Sequence, residues 1–194
     1  MEKGLLIVLS GPSGAGKGTV LREVLNRDSN VCVSISCTTR KPRRGETDGV
    51  HYYFKTQEEF KEMLKNGEFL EHAQVYDEMY GTPLFAVEEK RNQGKDVVLE
   101  IDVQGALEVR KQVEDAILVF VMPPSMEELK KRLTERDTET EEQIENRFAA
   151  AYNEMKMRDH YDYIIVNNDI DDAADSFLEI IEKEHGKRKG GIDE

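Results

Sequence analysis

Tryptophan is absent from this chain of 194 residues, and cysteine occurs only twice. Two cysteines cannot build a disulfide framework, and Cys32 and Cys37 have no second Cys or His pair at zinc-ligand spacing. On one strand, their five-residue offset would put them on opposite faces. Both are therefore expected as reduced thiols of a cytoplasmic protein. No apolar run approaches the roughly 20 residues that a bilayer span requires. The opening Met1-Glu2-Lys3-Gly4, followed by five apolar residues, is too short and wrongly flanked for a signal peptide. Positive charge is scarce: 27 Lys and Arg against 40 Asp and Glu leave a net charge of −13. That balance argues against a nucleic acid polymer or an anionic membrane as partner. Any phosphate-binding role must come from a local basic cluster.

What is present alternates between two kinds of segment. Leu5-Leu6-Ile7-Val8-Leu9 is a continuous apolar run suited to a buried parallel strand. After a glycine-rich stretch, Val20, Leu21, Val24 and Leu25 recur at helical spacing. Further buried strands are expected at Val97-Val98-Leu99, 116–122 and 163–166. Ser125 with Glu128, and Thr140 with Gln143, are capping-box patterns that open helices, and a last helix carries Phe177, Leu178 and Ile181. The alternation predicts a doubly wound α/β parallel sheet. Two stretches break it. One is polar and β-like and holds a capped helix (Thr56, Glu59, then Phe60, Met63, Leu64). The other is a charged helical excursion. The expected division is a core of 1–34, 97–131 and 161–186, inserted lobes at 35–96 and 132–160, and a frayed tail at 187–194 with no apolar anchor.

Gly11-Pro12-Ser13-Gly14-Ala15-Gly16-Lys17-Gly18-Thr19 joins the first strand to the first helix. In that context the glycines let consecutive backbone N–H groups converge on phosphate oxygens. The helix N-terminus adds positive potential, and Lys17 reaches the β- and γ-phosphates. The residue after the lysine is Gly18 where a hydroxyl is usual, which leaves Thr19 as the candidate contact to Mg²⁺. A dinucleotide fingerprint fits poorly, because the glycines fall in another order.

The basic cluster follows, as Thr38-Thr39-Arg40-Lys41-Pro42-Arg43-Arg44-Gly45-Glu46. Downstream stand Tyr52-Tyr53-Phe54, Glu71, Tyr80-Gly81-Thr82, Asp102-Val103-Gln104-Gly105, and arginines at 132, 136 and 147. These spaced blocks resemble the guanylate kinase family over nearly the whole chain. The resemblance implies a P-loop NTPase-type core with an inserted mixed α+β GMP-binding lobe and a helical lid. It also implies Mg²⁺-dependent transfer of the γ-phosphoryl group of ATP to GMP. An acceptor monophosphate carries nearly two charges, which Arg40, Arg43, Tyr52 and Tyr80 can hold with charge-assisted bonds. Guanine presents N1–H and a 2-amino group, suited to Glu71, with Asp102 a second candidate and Ser36 and Thr82 beside them.

Simpler roles stand next to several of these. Arg43 and Arg44 can form a solvated turn, Thr82 before Pro83 can cap a helix, Tyr53 and Phe54 suit a core, and His51 and His72 have no recognisable partner. Glu100 and Asp102 end a buried strand as acids on one face, like a Walker-B segment, with Asp102 directed to guanine or to Mg²⁺ through water. In the family, lid arginines approach the adenine and the transferring phosphates. Arg132 is expected on the ATP side, and Arg136 and Arg147 are expected to be catalytic with Lys17 and Arg40. Asp137 stands where the family has glycine, and an exposed salt-bridged helix pair is the plainer reading. A kinase for another nucleoside monophosphate remains an alternative, as does a non-catalytic phosphoprotein-binding relative. Such modules lack the phosphate loop and the lid arginines.

Overall fold

The computed structural model of the chain describes residues 2–75, 77–134 and 141–190. Strands β1 (Leu6–Ser10), β2 (Val31–Val33), β7 (Asp96–Glu100), β8 (Ile117–Met122) and β9 (Tyr163–Val166) form one sheet in the order β2-β7-β1-β8-β9. Every pairing in it is parallel. All five residues of β1 are buried, as a strand covered on both faces must be. On one face α1 (Lys17–Arg27) and α7 (Ile170–Gly190) enclose Val20, Val24, Ala174 and Phe177 against Ile7 and Val119. On the other, α4 (Val103–Gln112) and α3 (Leu84–Asn92) cover Val8, Leu99 and Leu118.

A second, mixed sheet has the order β4-β3-β6-β5, from β3 (Cys37–Thr38), β4 (Tyr53–Phe54), β5 (Phe69–Val75) and β6 (Glu78–Pro83). Helix α2 (Gln57–Lys65) opens with the full capping box of Thr56 and Glu59. Its Phe60 stacks on Phe69 at 4.4 Å between ring centroids. The pairing of β5 with β6 slips between Phe69 and Glu71, so three consecutive residues of β5 are buried. A bulge of this kind re-aims a side chain, and here it sets Glu71 opposite Thr82.

Helices α5 (Met126–Thr134) and α6 (Glu141–Met155) pack through Leu129, Leu133 and Ala151. Ser125 accepts the Glu128 amide at 3.1 Å, as its capping pattern predicts. A short 3₁₀ turn (Lys156–His160) leads into β9. The Thr140 cap, Arg136 and Asp137 lie outside the described residues.

Three local expectations are corrected. Cys32 and Cys37 are free, but they occupy β2 and β3, in different sheets, because the chain leaves the first sheet between them. Helix α7 continues to Gly190 instead of fraying after Gly186. Its anchor is polar: Arg188 donates to Asp115 at 2.8 Å and to the Lys3 carbonyl at 3.0 Å. Strand β7 ends at Glu100, and Asp102 turns out of it to cap α4, accepting the Gly105 amide at 2.8 Å.

Among the described residues, no helix is long and apolar enough to cross a membrane.

Candidate active site

The carboxyl ends of β1, β7, β8 and β9 converge where open α/β sheets bind their ligands, and the loop after β1 lies at that point. Gly11 has φ 141°, and a Cβ there would stand 2.1 Å from the Val121 carbonyl oxygen. Gly16, at φ 88°, packs so closely on Asn167 that a Cβ would lie 2.4 Å from its Nδ2. That amide nitrogen donates to the Ala15 carbonyl at 2.8 Å and holds the loop to the end of β9. Lys17 arches back over the cradle, its Nζ donating to the carbonyls of Gly11 and Pro12 at 2.6 and 3.1 Å.

The two positions after Lys17 face different surroundings, as a turn of 100° per residue requires. A Cβ on Gly18 would stand 3.3 Å from Glu100 Oε1, so the Glu100 carboxylate lies against the first turn of α1. Thr19 instead lines a cavity of about 600 Å³ with Gly14, Gly16, Arg132 and the segment from Asn167 to Asp171. Arg132 is held there by Glu128 at 3.0 Å and by the Asn167 carbonyl at 3.1 Å. Sequence reasoning named Glu100 as a Walker-B-like strand-end acid but not its place against Gly18, and it missed the Asn167-Asn168-Asp169 wall. A polar run directly after a buried strand of a parallel sheet was the available signal.

Helix α6 meets the loop at Ser13. Arg147 Nη2 donates to Ser13 Oγ at 2.6 Å, and the Ser13 amide donates to Glu154 Oε2 at 3.3 Å. Glu154, two turns after Arg147 on the same helix face, is a further residue that the sequence reading missed. Burial raises its pKa, partly opposed by the Ser13 amide and by Lys17.

The second sheet presents two groupings. In the first, the Arg40 guanidinium lies 5.4 Å from the centre of the Tyr52 ring and interacts with the Tyr80 hydroxyl. The Tyr52 and Tyr80 rings meet edge-on at 6.1 Å. Glu46 forms a two-pronged ion pair with Arg40, which, with the Arg43 amide, holds its carboxyl at about 2. The Arg43 side chain is exposed in a turn closed by the Glu46 amide on the Arg43 carbonyl. His51, exposed, does have a partner: its Nδ1 accepts the Thr47 amide at 3.0 Å.

In the second grouping, Thr82 is fully buried and donates to Glu71 Oε1 at 2.6 Å. It does not cap α3, whose N-cap is Pro83. Glu71 Oε2 lies beside Gly105 in the first turn of α4, which Asp102 caps. Burial raises the Glu71 pKa, offset in part by Thr82, and the charge of Asp102 adds to the rise. The Ser36 side chain is half-buried before β3, and its carbonyl accepts the Tyr53 amide. Tyr53 packs in the small core with Phe60 and Phe69, as expected.

The glycine-rich loop thus borders one cavity of about 600 Å³, and the second sheet carries two polar groupings, around Arg40 and around Glu71. The sequence matches the family described as guanylate kinase over residues 3–184. The chain belongs to the guanylate kinase family. It is 51% identical over 187 residues to guanylate kinase of Clostridioides difficile (strain 630), covering 96% of this chain and 91% of that one. Against guanylate kinase of Clostridium tetani (strain Massachusetts / E88) the identity is 52% over 184 residues, covering 95% and 88%. The crystal structure of guanylate kinase from Anaplasma phagocytophilum superposes with a TM-score of 0.71 at 37% identity, covering 95% of this chain and 87% of that one. The family's parallel-sheet core and phosphate loop are those described above, with Gly18 backed by a carboxylate in this chain.

Proposed function

We propose that the chain transfers the γ-phosphoryl group of ATP to GMP, giving ADP and GDP. The observation that carries this reading is the buried Glu71–Thr82 pair beside the first turn of α4. A carboxylate and a threonine held together suit the N1–H, 2-amino group and O6 of guanine. Adenine lacks both donors and would leave Glu71 facing a lone pair. Arg40, Arg43, Tyr52 and Tyr80 take the acceptor phosphate, with Ser36 and Asp102 flanking the base. Residues 11–19 cradle the phosphates of ATP, and Arg132 lines its nucleoside side.

The acceptor oxygen is already anionic, so no general base is required. It attacks Pγ in line, the bond from Pγ to the β,γ-bridging oxygen breaks, and ADP leaves with that electron pair. The two nucleotides bring roughly six negative charges. Lys17, Arg40, Arg136 and Arg147 supply the charge that aligns and stabilises the transferring group. Among the described residues no cluster of three His, Cys, Asp or Glu side chains could hold a metal. Mg²⁺ keeps several waters and binds through one or two carboxylates plus substrate phosphates. The Glu100 carboxylate beside Gly18 fits such a role. Mg²⁺ held by the donor phosphates with Glu100, Asp102 or Thr19 would supply charge neutralisation. The lobes at 35–96 and 132–160 act as acceptor site and lid. Two free thiols accord with the cytoplasm as location.

A coupled assay of ADP production with GMP, AMP, UMP or no acceptor tests the reading. ADP should form rapidly with GMP alone. Comparable rates with AMP or UMP, or full activity without acceptor, would overturn it.

A further inference from the structure

Arg40 is a half-buried cation of the acceptor lobe, yet one edge of its guanidinium is already occupied. Its Nη1 and Nη2 donate to Glu46 Oε2 and Oε1 at 2.9 and 2.8 Å, and Nη1 also donates to the Lys41 carbonyl at 2.8 Å. A guanidinium has five N–H groups. The Nε–H and one Nη2–H form a second two-donor edge, which Glu46 and the Lys41 carbonyl leave unused. Tyr80 engages the same guanidinium, and the Tyr52 and Phe54 rings flank it at 5.4 and 5.9 Å. Glu46 Oε2 also accepts the Arg43 amide at 2.6 Å, in the turn where the Glu46 amide returns to the Arg43 carbonyl at 3.0 Å.

A carboxylate so placed has two opposite meanings. It is a stand-in for phosphate that must leave when substrate arrives, or it is a fixture that stays. Leaving would break the bond to the Arg43 amide that fastens this turn, and the edge that Glu46 occupies is not the only one Arg40 has. Both side chains are sheltered, at 15% and 19% exposure, so the pair is not a loose surface contact.

We propose that Glu46 is a positioning residue of the acceptor site, holding Arg40 by one edge and the Arg43 turn by its amide. The other edge of Arg40 is thereby presented to the phosphate of the incoming monophosphate. This rests on Arg40 being a phosphate ligand.

The test is steady-state kinetics and melting of Glu46→Gln, Glu46→Asp, Arg40→Ala, Arg40→Lys and the Arg40→Lys/Glu46→Gln double variant. Loss of a charge-assisted bond should raise KM for GMP by roughly tenfold in Glu46→Gln, with KM for ATP within about twofold of the parent. Glu46→Asp, which keeps the carboxylate, should fall between Glu46→Gln and the parent, and it carries the test if Glu46→Gln does not fold. In the Arg40→Lys background, Glu46→Gln should raise KM for GMP by clearly less than it does in the parent, because an ammonium has no edge to orient. A fall in KM for GMP on Glu46→Gln would make Glu46 a competitor of phosphate and overturn the proposal. So would an unchanged KM for GMP, or equal losses toward both substrates. If Arg40→Ala itself leaves KM for GMP unchanged, the clamp reading of Arg40 has failed, an outcome distinct from failure of Glu46 alone.

Discussion

Thr82 gives its hydroxyl hydrogen to Glu71 across 2.6 Å between two adjacent strands, both residues nearly or wholly withdrawn from solvent. One oxygen of the carboxylate is satisfied by this bond. The other lies against the backbone of α4 at Gly105. On the proposed function, the N1–H and 2-amino group of guanine complete the compensation of this buried carboxylate.

From this follows a trade between stability and selectivity. Glu71→Gln keeps an acceptor for Thr82 and removes the charge. Burial raises the Glu71 pKa in the folded state, so the ionised carboxylate costs stability above that pKa, and the cost disappears as pH falls through it. Glu71→Gln should accordingly melt above the parent at pH 7, by about 2–4 °C per kcal/mol relieved, with the gap narrowing in acid. Its kcat/KM for GMP should fall by more than about tenfold, as expected for a lost charged bond, with KM for ATP nearly unchanged. Melting curves across pH and the ratio of GMP to AMP turnover check both halves.

Lys17→Ala should fold normally and lose turnover. In the structure Lys17 bonds carbonyls of its own loop and is not in the apolar core. A melting temperature near the parent's, with phosphoryl transfer at background, is the expected pair of results. Near-parental activity in a folded variant would remove the phosphate-loop assignment.

For Arg147, the bond to Ser13 Oγ separates two roles. If the arginine acts on the transferring phosphoryl group, Arg147→Ala should lower kcat by about a hundredfold or more, the scale of a lost charge clamp. The KM for GMP should move much less, and Arg136→Ala should behave similarly. Ser13→Ala removes the hydroxyl that Arg147 contacts and keeps the Ser13 amide bond to Glu154, so its kcat should stay within about fivefold of the parent. Equal losses in Ser13→Ala and Arg147→Ala would make the arginine a structural tie.

Glu100→Gln addresses the metal. If the carboxylate beside Gly18 orders the hydration of Mg²⁺, half-maximal activity should require roughly 10–100-fold more Mg²⁺. The maximal rate should be partly recovered at saturation. A titration superimposable on the parent's would leave Asp102 and Thr19 as the protein groups to test next.

By itself the sequence determined the βα alternation, the phosphate loop between β1 and α1, the capped helix at Thr56 and the basic segment around Arg40. Each depends on interactions within a few residues: apolar periodicity, capping, and glycines needed where positive φ or close backbone approach leaves no room for Cβ. The tertiary structure decided what local chemistry cannot. A register slip in β5, imposed by pairing with β6, aims Glu71 at Thr82 instead of at solvent. The end of β7 brings Glu100 against Gly18, over eighty residues away in the chain, and the end of β9 brings Asn167 against Gly16. The same step converts Asp102 from a strand acid into a helix cap, because β7 stops at Glu100 and the Gly105 amide needs an acceptor. Arg188 holds α7 to the N-terminal segment through polar bonds that an apolar pattern does not reveal. Hydrophobic periodicity records which face of an element is buried. The register and the termination of strands, which position the polar groups of this site, are set by partners far away in the chain.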